Sequence, residues 1–207
     1  MSEQQGAVVV DDQEELPEAR ARGSADELLD ARAGDPLDPV RHSAAHVMAE
    51  AVLELFPEAR LGIGPAITDG FYYDFDLPRP LTPGDLEEIE RRMAASVAAD
   101  HEFVRDELPF DDGRRFFEAA GQPYKVEILD DIAREARENG HPPPPVSTYQ
   151  HGSFIDLCRG PHVESTGRIG PFKLLAVSGA YWRGDQSRDS LQRIYGTVWS
   201  TQEELDR

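Results

Sequence analysis

Two spacings in this sequence could do chemistry. His42-Ser43-Ala44-Ala45-His46 sets two imidazoles four residues apart, and on a helix residues i and i+4 share a face. Cys158-Arg159-Gly160-Pro161-His162 sets a thiol and an imidazole at the same spacing, but Gly160-Pro161 makes this pair a turn. His42, His46, Cys158 and His162 together are a set of the size and type that holds tetrahedral zinc. The same groups could equally position a hydrolytic water, with histidine as general base. Each pair alone says little. HxxxH is common in helices, and this one lacks the glutamate of the HExxH zinc-protease pattern. Cys158 by itself reads as a small buried hydrophobe sooner than a nucleophile. Only the two pairs together raise the reading to a site.

Other residues stand near this set in character. Asp156 precedes Cys158 by two, so in a strand both point to one face. Lys125 is one of only two lysines, with Lys173. A lone ammonium beside a carboxylate could bind a substrate carbonyl or alcohol, or simply form a surface ion pair. Tyr181-Trp182-Arg183-Gly184-Asp185 could stack on a nucleotide base or cap an edge of the core. Gly62-Ile63-Gly64-Pro65 is a tight glycine turn without the GK[ST] of a phosphate loop.

The elements that must position these groups are legible in part. Asp38-Pro39 marks a helix start, and apolar residues at Val40, Ala44, Val47, Ala51 and Leu55 keep a helical period until Pro57. Extended pieces at Leu61–Ile67 and Gly70–Phe75 meet at a Thr68-Asp69-Gly70 turn. Thr82, Pro83 and Asp85 form a helix start with a capping box, and Leu81 and Leu86 a hydrophobic staple. A strand is predicted at Glu102–Leu108, and helices at Asp111–Ala120 and Leu129–Asn139, closed by Gly121 and Gly140. Pro142–Pro145 is a stiff spacer. Strands follow at Ser147–Tyr149, Phe154–Leu157, Phe172–Ser178 and Arg193–Trp199. Helices and antiparallel hairpins interleave without a β-α-β beat, which makes the class α+β.

Composition bounds the function. The chain has 207 residues, 40 acidic and 21 basic, for a net charge of −19. That argues against a protein that coats nucleic acid or anionic membrane, which needs a basic surface. No run approaches a membrane span, no signal peptide opens the chain, and the single cysteine suits a reducing cytoplasm. Charge is uneven: residues 1–36 carry −7, 37–150 carry −12, 151–200 carry +2 and 201–207 carry −2. Residues 1–36 read as a disordered acidic tail, with a short helix at Ser24–Arg32 allowed. The folded domain is expected over 37–200, with 201–207 as a C-terminal end.

Six motifs, in order, carry a family resemblance: Arg41-His-Ser-Ala-Ala-His46, Leu61-Gly-Ile-Gly-Pro65, Asp69-Gly-Phe-Tyr-Tyr-Asp74, Asp156-Leu-Cys-Arg-Gly-Pro-His162, Gly179-Ala-Tyr-Trp-Arg-Gly-Asp185 and Leu191-Gln-Arg-Ile-Tyr-Gly-Thr197. From about Val40 to Trp199 the chain resembles the editing domain, or second additional domain, of bacterial threonyl-tRNA synthetases. That domain is related to alanyl-tRNA editing proteins. The resemblance implies a packed-helix, antiparallel-sheet fold and an aminoacyl-tRNA deacylase that hydrolyses seryl-tRNA(Thr) and spares threonyl-tRNA(Thr). By position it implies roles for His42, His46, Tyr73, Lys125, Asp156, Cys158 and His162. His42 and Lys125 would handle water and the ester oxygens. Asp156 would orient them or hold the serine amino group, and Tyr73, His46, Cys158 and His162 would shape the pocket. It leaves zinc open: alanyl-type relatives bind zinc at this pattern, and threonyl-type domains are described as working without it. The partner implied is the tRNA(Thr) acceptor end carrying serine. Arg159, Lys173, Tyr181, Trp182, Arg183 and Arg193 are the candidate contacts of a local basic mouth.

The sequence departs from a full synthetase, having neither a leading ubiquitin-like domain nor a ligase core. Ligase activity is therefore not expected of it. A free-standing editing hydrolase acting in trans, with a full-length synthetase as a further partner, is the favoured expectation. The alternatives are an editing fragment of a longer ligase and a non-catalytic tRNA-binding module.

Overall fold

The computed structural model describes residues 35–207. The expected tail and the Ser24–Arg32 helix lie outside the described residues, apart from Asp35 and Pro36. Helix α1 (Asp38–Leu55) is the central element, and every residue from 41 to 52 is buried. A helix buried all round must find partners for its polar side chains, and Arg41, His42, Ser43 and Glu50 do so from different sides. Arg41, 2% exposed, anchors the start of the helix through Asp35 at 2.7 Å and Asp38 at 3.5 Å.

Strands β1 (Arg60–Leu61), β2 (Ala66–Ile67), β3 (Gly70–Asp76), β7 (Phe172–Tyr181) and β8 (Ser190–Val198) build a five-stranded antiparallel sheet. Its order is β1-β3-β8-β7, with β2 also on β3. Helix α2 (Pro83–Ala99) packs with α1 on this sheet. Its capping box is formed: the Thr82 hydroxyl accepts from the Asp85 amide and Asp85 accepts from the Thr82 amide at 2.7 Å, an arrangement worth about 1 kcal/mol. Met48, Val52, Phe71, Phe75, Ile89, Met93 and Ile194 fill the core between these layers. Each such side chain contributes roughly 1.5–3 kcal/mol of burial.

A second, smaller unit sits beside it. Strands β4 (Val104–Leu108), β5 (Val146–His151) and β6 (Phe154–Leu157) form a three-stranded antiparallel sheet. Helices α3 (Phe110–Ala119) and α4 (Pro123–Glu138) cover it, around Phe117, Ile128, Leu129, Ile132 and Trp182. A single turn, α5 (Gln202–Leu205), ends the chain. The α+β class is as expected, and among the described residues no helix is long and apolar enough to cross a membrane.

Several boundaries differ from expectation. Helix α4 begins at Pro123, six residues before the predicted Leu129, because Pro123 takes the first helical position after Gln122. Lys125 therefore sits in the first turn of a helix. The Gln122 side chain fastens that turn to the first sheet, accepting from the Leu61 amide at 2.7 Å and donating to the Ala59 carbonyl at 3.2 Å. Strands β7 and β8 run longer than predicted. They enclose the Tyr181–Asp185 segment as their connection rather than an independent cluster.

Candidate active site

The seam between the two units gathers the seven catalytic candidates. Helix α1 supplies His42 and His46, with ring centroids 5.0 Å apart. Strand β3 supplies Tyr73, the first turn of α4 supplies Lys125, and β6 with the turn after it supplies Asp156, Cys158 and His162. In that turn Gly160 has φ +83°, and a Cβ there would lie 2.5 Å from the Tyr149 hydroxyl, so glycine is required.

Three of these groups form a closed, buried cluster. Tyr73 donates to Asp156 Oδ2 at 2.6 Å, and Lys125 donates to the Tyr73 hydroxyl at 2.9 Å and lies 2.9 Å from Asp156 Oδ1. Asp156 Oδ1 also accepts from the Leu157 amide. All three side chains are 1–2% exposed. Burial, and then the Asp156 carboxylate, push the Tyr73 hydroxyl well above its usual range, so Tyr73 is a donor here and not a phenolate.

Of the other four, His42 and His162 converge on Cys158, and His46 lies close by. The Cys158 Sγ is 3.4 Å from His42 Nε2 and 3.2 Å from His162 Nε2. The Gly160 amide also donates to it, at 3.2 Å. His42 Nδ1 faces the Pro161 carbonyl at 3.2 Å, and His162 Nδ1 faces Ser43 Oγ at 2.9 Å. His162 is stacked between Phe103, at 4.7 Å, and His42, at 4.3 Å. Burial, and then the neighbouring imidazoles, hold His46 and His162 well below the usual histidine range, so both are neutral near pH 7. His46 Nδ1 is buried without a hydrogen-bond partner.

These residues fit zinc. One ligand atom from each of His42, His46, Cys158 and His162 lies within 4.8 Å of the others. A tetrahedral zinc needs sulfur and nitrogen about 3.5 Å apart, near the two spacings at Cys158. Backbone or hydroxyl partners at Nδ1 of His42 and His162 are the outer-shell support that metal-binding imidazoles use.

The cluster and three of the quartet face one small cavity of about 20 Å³, lined by His42, His46, Tyr73, Lys125, Asp156 and Cys158 and roofed by Ile63, Gly64 and Pro65. That holds about one water. Gly64 presses on the Tyr73 ring, and a Cβ there would sit 2.0 Å from Cδ2.

The six candidate tRNA contacts are dispersed. Trp182, 1% exposed, packs in the second core and so offers no stacking face. Arg193 makes a two-pronged pair with Asp74 at 2.7 and 2.9 Å over the Tyr72 ring. Arg183 pairs with Asp131, and Lys173 with Glu90 at 2.8 Å. Tyr181 is 44% exposed, and half-buried Arg159 lines a crevice with Pro144, Pro145 and Ser147 beside the site. Sequence reasoning gave no role to Ser43, Phe103 or Tyr149, which touch His162. The alternation of β5 and the serine beside His42 were the available signals.

Comparison with known proteins agrees with this architecture. Residues 146–195 match the threonyl and alanyl tRNA synthetase second additional domain. A threonine–tRNA ligase of Dehalococcoides mccartyi is 55% identical over 175 residues, 84% of this chain and 28% of the ligase. Those of Pelobacter propionicus (49%, 87% of this chain, 27% of the ligase) and Polaromonas naphthalenivorans (50%, 90% and 28%) are similar. The chain thus spans little more than a quarter of the length of these curated relatives. With the α+β fold and the motifs in place, the chain carries a threonyl-tRNA synthetase editing-domain region, with a second additional domain match over residues 146–195.

Proposed function

We propose that this chain is an aminoacyl-tRNA deacylase that hydrolyses seryl-tRNA(Thr), acting in trans. The observation that carries the reading is the convergence of two imidazoles, a buried ammonium and a carboxylate on a space the size of one water. The relatives' identity as threonine–tRNA ligases supports the substrate class.

Water in the cavity attacks the carbonyl carbon of the ester, and an imidazole, His42 in this reading, takes its proton. Negative charge then develops on the carbonyl oxygen. Lys125 spends two N–H groups on Tyr73 and Asp156, leaving the third to stabilise that oxygen in a dry site. The bond to the ribose oxygen breaks, the imidazolium returns the proton to it, and serine leaves from a free tRNA hydroxyl. Asp156 and Tyr73 fix the ammonium, while His46, Cys158 and His162 wall the pocket. The roof at Ile63–Pro65 has to shift to admit the seryl group. A tight roof also makes a methyl matter, though a methyl-sized difference gives only modest discrimination, which is why a second, hydrolytic sieve is useful. If zinc occupies the quartet, it supplies Lewis acidity and a more acidic bound water.

The test incubates the protein with seryl- and threonyl-tRNA(Thr), before and after chelation. Loss of serine alone is expected, with His42→Ala slower by about 10²–10⁴-fold. Full activity in His42→Ala sinks the assigned base. Binding without hydrolysis by the wild type favours the non-catalytic module. Action in cis within a longer ligase is the second reading, favoured by the length of the relatives.

A further inference from the structure

One residue of the first motif still lacks a role. Ser43 is fully buried on α1. Its Oγ lies 2.7 Å from the Pro39 carbonyl, 3.1 Å from the Val163 amide nitrogen and 2.9 Å from His162 Nδ1. A hydroxyl has one proton and two lone pairs. The Val163 N–H can only donate, so it takes one lone pair. The Pro39 carbonyl can only accept, and two oxygens 2.7 Å apart need a proton between them. The Ser43 proton therefore goes to Pro39, and what remains for His162 is a lone pair. Nδ1 of His162 must carry a hydrogen.

We propose that Ser43 is a positioning residue that fixes His162 in its Nδ1–H tautomer and turns the Nε2 lone pair toward Cys158. His42 is set the same way by the Pro161 carbonyl. Two imidazole lone pairs then face one sulfur, and a single S–H proton satisfies only one of them. Ser43 thus keeps this half of the site an acceptor for a proton or a cation.

The tautomer is read directly from two-bond proton–nitrogen correlations of ¹⁵N-histidine-labelled protein at about pH 8, above the ordinary imidazole range. His162 is expected with its hydrogen on Nδ1. Ser43→Ala is expected to give a mixed or Nε2–H pattern, and Ser43→Thr, which keeps the hydroxyl, to restore the original one. The kinetic arm rests on the deacylase reading: Ser43→Ala lowers turnover by about 10–100-fold, and Ser43→Thr recovers it. A wild-type His162 protonated at Nε2 overturns the proposal without any variant, and so does an unchanged tautomer in Ser43→Ala. A wild type with Nδ1–H His162 and no deacylase activity supports this assignment while sinking the proposed function.

Discussion

The two halves of the site close their hydrogen bonds differently. In Tyr73–Lys125–Asp156 every carboxylate oxygen has a donor, the phenol donates, and two of the three ammonium N–H groups are placed. In the histidine–cysteine half, two ring nitrogens address one sulfur and His46 Nδ1 has no partner. The first half is complete before any ligand arrives, which is what preorganised charge stabilisation requires. The second is left with spare acceptor capacity, which suits a group that must take up a proton, a water or a metal.

The largest effect should come from breaking the closed half. Lys125→Met leaves the Asp156 charge buried with fewer donors, and should cost about 3–5 kcal/mol in urea unfolding together with deacylation. Adding Asp156→Asn removes both charges and should recover much of the stability but no activity. An unchanged midpoint for the single variant would break the comparison. Tyr73→Phe removes the two hydrogen bonds of its hydroxyl, to Asp156 and from Lys125, while the ion pair stays, for about 2 kcal/mol by the same measurement.

The open half answers to pH. His46 and His162 have folded values well below those of an unfolded histidine, near 6.5. Between the folded and unfolded values the unfolded chain binds protons that the native state does not, so stability rises with pH there. Stability should be flat above about pH 6.5 with respect to these groups. It should fall below it by about 1.4 kcal/mol per pH unit for each histidine. His162→Asn should remove one such share of the slope, and an equal slope in that variant would argue that His162 is charged in the native state.

How much of this was legible follows the range of each interaction. The α1 pair was readable because i,i+4 spacing is a local fact, and the Thr82 cap because its signals lie within four residues. The start of α4 was misplaced even though Pro123 offered a local mark. The fate of Trp182 and Arg193 was not readable: burial of one and the Asp74 pairing of the other depend on β3, β7 and β8 meeting. The basic mouth suggested by the charge of 151–200 is largely absorbed in ion pairs for the same reason.

Strand pairing also sets when the site can exist. Strand β3 carries Tyr73, and its neighbour β8 pairs Tyr73 with Ile194 and Asp74 with Arg193. During synthesis β3 emerges long before that neighbour, so until residues 190–198 leave the ribosome it presents an unpaired apolar edge. Closure over such sequence distances is slow, and exposed edges invite association with other chains. A chain interrupted before Ser190 would therefore expose the β3 edge to other chains and lack the Arg193 partner of Asp74, next to Tyr73.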